Sequence, residues 1–137
     1  MQEIACLDTG PIHLFFMKDC PEPIDSLIKK VQRREIMAFV AAPVLLEVFK
    51  HLCVGKGREY AESCLQTFQS KIPATITPLD IPLIFRAGSL KCQYREELSY
   101  IDCTAIALAI RERAILHTTE KELPKIKGLK TKVYNFD

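Results

Sequence analysis

Short apolar runs with no polar alternation constrain this chain most. Ile36–Ala41 reads Ile-Met-Ala-Phe-Val-Ala and offers no wet face. A strand of that kind needs cover on both sides, as in a parallel sheet. Residues 2–7 and 114–118 have the same character. Between such runs the period changes. Ile24, Leu27, Ile28 and Val31 stand at i, i+3, i+4 and i+7, the apolar stripe of a helix. Further helices are predicted over about 12–17, from Pro43 to the break at Gly55-Lys56-Gly57, and over 58–69, 81–94 and 100–113. Ser99 is placed to cap the last of these. Short strands are predicted at 75–77 and 132–136, and a capped helical turn at 119–123. Strands alternating with helices predict an α/β protein: a three-layer α/β/α domain with a central parallel sheet. In such sheets the functional crevice lies beyond the carboxyl ends of the strands.

The chain has 137 residues, enough for one domain with a real core, and no linker divides 1–137. It is 48% hydrophobic and 26% charged, which excludes a disordered tail. No apolar run nears the roughly 20 residues of a membrane span. No basic segment opens the chain, so a cytoplasmic protein is expected. The net charge of +2 neither requires nor excludes nucleic acid; clustering of the 19 Lys and Arg decides that. Six cysteines form no Cys-x-x-Cys pair, which argues for reduced structural thiols over zinc, with a disulfide at Cys20 left open.

Four acidic residues sit in apolar surroundings. Asp8 ends the first run and meets Thr9-Gly10-Pro11, a helix start. Glu47 lies on the helix entered from the second run, Asp102 in the first turn of the most apolar helix, and Glu120 just past the 114–118 run. Each has an ordinary reading: a cap, a first-turn charge, a partner for Lys50 or His51. Together the topology sends them to one edge of the sheet. Clustered carboxylates repel unless a cation joins them. An all-oxygen set suits Mg²⁺ or Mn²⁺. The reaction class implied is metal-assisted phosphodiester hydrolysis. Thr9 and either Thr118 or Thr119 could orient the carboxylates, and Lys91 and Arg95 could touch a phosphate. His13 and His117, set among apolar residues, read as structural. Leu14, Phe15, Phe16 and Met17 supply apolar surface for the core or for a partner.

Here the residues resemble a known family. Leu7-Asp8-Thr9-Gly10-Pro11-Ile12, Val44-Leu45-Leu46-Glu47-Val48, Ser99-Tyr100-Ile101-Asp102-Cys103-Thr104-Ala105 and Leu116-His117-Thr118-Thr119-Glu120 are similar to the four acidic motifs of PIN domains, in particular small VapC-type toxin ribonucleases. The resemblance implies that Asp8, Glu47, Asp102 and Glu120 are catalytic metal ligands for Mg²⁺ or Mn²⁺. It also implies RNA as substrate, an antitoxin partner and a homodimer. Two positions depart from the pattern: Glu120 stands where Asp is usual, and Gly10 where Ser or Asn is frequent. They motivate a rival reading, a weak PIN-like module that binds RNA or protein. Another rival is an RNA-processing nuclease without antitoxin. A phosphate-loop enzyme is disfavoured, because Asp8-Thr9-Gly10-Pro11 holds a single glycine.

Overall fold

The computed structural model describes residues 2–136. Its elements run β1 (Glu3–Leu7), α1 (Thr9–Phe15), α2 (Glu22–Gln32), β2 (Ile36–Ala41), α3 (Ala42–Lys56), α4 (Arg58–Lys71), β3 (Ala74–Thr77), α5 (Ile81–Gln93), α6 (Tyr100–Arg111), β4 (Ile115–Thr118) and β5 (Lys130–Val133). The strands form one sheet in the order β3-β2-β1-β4-β5, and every ladder is parallel. Helices cover it in a three-layer α/β/α arrangement, as the alternation predicts.

β1 is the central strand, and its inner residues Ala5, Cys6 and Leu7 are fully buried. Cys6 faces α6, with its Sγ 3.6 Å from the Ala105 carbonyl. Ala5 and Leu7 therefore face the opposite layer. Cys103 through Ala109 of α6 are all buried, which accounts for the density of small and branched residues there. The α2 stripe Ile24, Leu27, Ile28 and Val31 is core, and its basic residues Lys29, Lys30 and Arg33 are solvated. Leu14, Phe15 and Phe16 pack partly against that core, while Met17 is 46% exposed. All six cysteines are free. Among the described residues no helix is long and apolar enough to cross a membrane.

Helix starts follow local chemistry. Ser99 caps α6 in a reciprocal box: its Oγ accepts from the Asp102 N–H at 3.0 Å, and Asp102 Oδ2 accepts from the Ser99 N–H at 3.1 Å. Ser99→Ala is expected to cost about 1 kcal/mol of stability, read from a urea midpoint. Asp80 caps α5 through the Leu83 N–H and pairs with Arg111, tying α5 to α6. At α1 the helix begins at Thr9 itself. Asp8 holds the cap position but makes no capping bond there, because its carboxylate is engaged elsewhere.

Two further expectations are corrected. Residues 119–123 form no helical turn. The Glu120 N–H is taken by Thr118 Oγ1 at 3.0 Å, which turns the chain back on itself. The last strand is Lys130–Val133 instead of 132–136, since Tyr134 leaves the strand to be buried. Its N–H donates to the Thr118 carbonyl, and its hydroxyl is hydrogen-bonded with His117 Nδ1 at 2.8 Å.

Candidate active site at the strand exits

The strand order reverses beside β1. β2 and β3 were added on one flank, β4 and β5 on the other. Such a switch point opens a crevice at the carboxyl ends of the two strands that flank it. Asp8 is the first residue past β1, and Thr118 is the last of β4.

Asp8 is only 5% exposed, and its Oδ2 accepts a 2.7 Å bond from Thr118 Oγ1. Burial pushes its pKa from 3.8 up to about 6. Bonds from Thr118 and from the Thr9 backbone oppose the rise, and the charges of Asp102 and Glu120 add to it. Glu120 is also raised, by partial burial first and then by Asp102 and Glu47. The four carboxylates predicted from sequence thus share one electrostatic neighbourhood. Asp102 reaches it from the first turn of α6, where its side chain also completes the capping box. Glu47 reaches it from α3 and forms no ion pair with Lys50 or His51. Among the described residues, however, no three His, Cys, Asp or Glu side chains are grouped so that they could hold a metal ion as they stand.

The other candidates fall into place unequally. Thr9 is buried beside Asp8, and its hydroxyl has no hydrogen-bond partner. Thr119 packs against Gly10. Lys91 is occupied: its ammonium donates to the carbonyls of Arg95 and Leu98 and lies over the Tyr100 ring. Arg95 is exposed on the loop between α5 and α6. His13 stacks on His51 with ring centroids 5.3 Å apart. His117 is buried between Tyr134 and the Glu3 carboxylate, 2.9 Å from Nε2, and burial lowers its pKa. That Glu3–His117–Tyr134 chain escaped sequence reasoning, because nothing local links residues so far apart.

A family model, PIN domain, matches residues 5–129. This chain belongs to the PIN domain family. No curated protein matches the sequence significantly. Solved structures share the PIN fold at low identity. A chain of the Rickettsia felis VapBC2 complex, bound to a DNA fragment from its promoter, is 20% identical with a TM-score of 0.74, covering 96% of this chain and 99% of that one. A chain of DNA-bound VapBC from Salmonella typhimurium is 17% identical with a TM-score of 0.73, over 96% and 98%. Mycobacterium tuberculosis VapC20, described as a toxin that cleaves the sarcin-ricin loop, is 12% identical with a TM-score of 0.66, over 82% and 86%.

Proposed function

We propose that this PIN domain is a metal-dependent endoribonuclease and the toxin of a toxin–antitoxin pair. The observation that carries the reading is Asp8, a buried carboxylate held at the sheet's switch point against the charges of Asp102 and Glu120. Proteins seldom keep so costly a group unless a site needs it.

The residues fit a hard divalent cation. The donors are all oxygen, and the unpartnered Thr9 hydroxyl lies next to Asp8. Asp8, Glu47, Asp102 and Glu120 would hold Mg²⁺ or Mn²⁺. Glu47 and Glu120 have the longer arms, and Glu120 is the most exposed of the four; the set is not closed among the described residues. When bound, such an ion supplies charge neutralisation at a phosphate and a more acidic water. The chain's own groups do the rest. Thr118 fixes one oxygen of Asp8 and so orients the carboxylate. Asp102 is held by its helix N-terminus, where amides favour negative charge. Glu120, raised and open to solvent, is placed to take the proton of an attacking water. Arg95, with Lys91 behind it, lies on the loop before Asp102, at the rim where an RNA phosphate would pass.

VapBC complexes among the similar structures support an antitoxin as partner. A homodimer is part of the same reading, and exposed Ile81, Ile84 and Phe85 of α5 offer apolar surface for it. Sedimentation of the purified chain checks that state. The activity is tested on RNA with Mn²⁺: cleavage should stop with EDTA and in Asp102→Asn. Unchanged cleavage by Asp102→Asn would remove Asp102 from the site. The lack of a ready three-ligand group among the described residues favours a second reading, a module that binds RNA or protein without cutting it. Calorimetric titration with Mn²⁺ separates the two, since only the nuclease shows uptake that depends on Asp8.

A further inference from the structure

Gly10 and Thr119 interlock. Gly10 lies in the first turn of α1, two residues past Asp8, and Thr119 stands between Thr118 and Glu120. A methyl group placed on Gly10 would overlap Thr119 Oγ1 outright, and would lie 2.8 Å from its Cγ2 and 2.9 Å from its Cβ. The Thr119 side chain thus fills the space that any side chain at residue 10 would need. Rotating Thr119 would not clear that space, because its Cβ is fixed to the backbone. An added atom at Gly10 must move the 118–120 segment itself.

That segment is joined to the start of α1 at three successive places. The Asp8 N–H donates to the His117 carbonyl at 3.0 Å, Thr118 Oγ1 donates to the Asp8 carboxylate, and Thr119 packs on Gly10. Glu120 is the next residue, and its N–H is bonded back to Thr118. Two polar bonds set the height of the segment along the strand. The Gly10–Thr119 contact sets how closely it lies over the helix.

We propose that Thr119 is a positioning residue for Glu120, acting by shape: seated on Gly10, it holds the β4 exit close to α1 so that the Glu120 carboxylate faces Asp102 and Glu47. Gly10 and Thr119 are then a matched pair, and the longer arm of Glu120 belongs to the same arrangement. The proposal rests on the metal-site reading above and names the residues that set one of its ligands.

The test uses full-length wild type, Gly10→Ala, Thr119→Gly, Thr119→Val and the Gly10→Ala/Thr119→Gly double variant. Mn²⁺ affinity is read by calorimetry and the melting temperature of the metal-free protein by scanning. Gly10→Ala should lose roughly 10-fold or more in Mn²⁺ affinity, the range seen when a ligand's support is removed. Thr119→Gly should lose affinity while the metal-free melting temperature stays near wild type. Thr119→Val, which keeps the shape, should bind Mn²⁺ as wild type does. In the Thr119→Gly background the added methyl at residue 10 should cost nothing further, the signature of a coupled pair. Equal costs of Gly10→Ala in both backgrounds, or wild-type affinity in Thr119→Gly, would overturn the proposal. If Gly10→Ala does not fold, the two Thr119 single variants decide it. A wild-type chain that takes up no Mn²⁺ is a separate result: it overturns the metal site itself, and the positioning role falls with it.

Discussion

Asp8→Asn is expected to abolish cleavage and to make the metal-free protein harder to unfold. The two effects have one cause. Burial holds the Asp8 pKa at about 6, against an ordinary 3.8. A carboxylate raised in the folded state costs no stability below its unfolded pKa, and the cost grows as pH climbs through the folded value. About two pH units correspond to about 3 kcal/mol at neutral pH, as an order of magnitude. Asparagine removes the charge but buries an amide that needs its own partners, so a net gain of about 1–2 kcal/mol is expected, or roughly 3–8 °C in melting temperature. Wild type should also lose stability between about pH 4 and pH 6 by this contribution, and the variant should lack that slope. Activity should fall by about 100-fold or more, since even the supports of a metal ligand are worth 10–100-fold. Thermal scans across pH, beside a cleavage assay, check both halves. A variant less stable than wild type at pH 7.5 would refute the view that Asp8 is kept against stability.

Thr118→Val is the second large effect. The side chain is fully buried, so valine fits with little change of shape. What disappears is the O–H donated to Asp8 at 2.7 Å and the acceptor for the Glu120 N–H at 3.0 Å. Leaving such groups unpaired costs roughly 1–3 kcal/mol. The Thr118 bond is also the foremost influence holding the Asp8 pKa down. Without it Asp8 ionises at higher pH. Cleavage near pH 6 should drop by about 10–100-fold and recover in part as pH rises. Thr118→Ser, which keeps the hydroxyl, should retain the wild-type profile. Coincident pH–rate profiles for Thr118→Val and wild type would show that the bond plays no part in the site.

The sequence made the architecture legible where physical signals were local. The unalternating run Ile36–Ala41 became an inner strand, the Ile24-to-Val31 stripe became core, and Ser99 became a cap. The acidic candidates stood out for a related reason: Asp8, Asp102 and Glu120 interrupt an apolar context near an element's end, and Glu47 does so inside α3. What the sequence hid were contacts between its distant parts. Residues 119–123 look like a helix start, but Thr118 spends its hydroxyl on both Asp8 and the Glu120 N–H. Tyr134 reads as a strand residue until it meets His117 and Thr118. Gly10 reads as a missing polar group until Thr119 is found in its place. Lys91 reads as a phosphate contact, whereas its ammonium is tied to loop carbonyls.

The bond between Thr118 and Asp8 spans 110 residues. Bringing such distant segments together carries a loop-closure cost that local contacts do not repay. During synthesis the early portion can form α1, α2 and the β1–β2 pair while β4 is still inside the ribosome. Until β4 emerges, Asp8 has no hydroxyl to orient it and no Glu120 beside it. The crevice beside Asp8 is therefore completed only late in synthesis, when β4 joins β1.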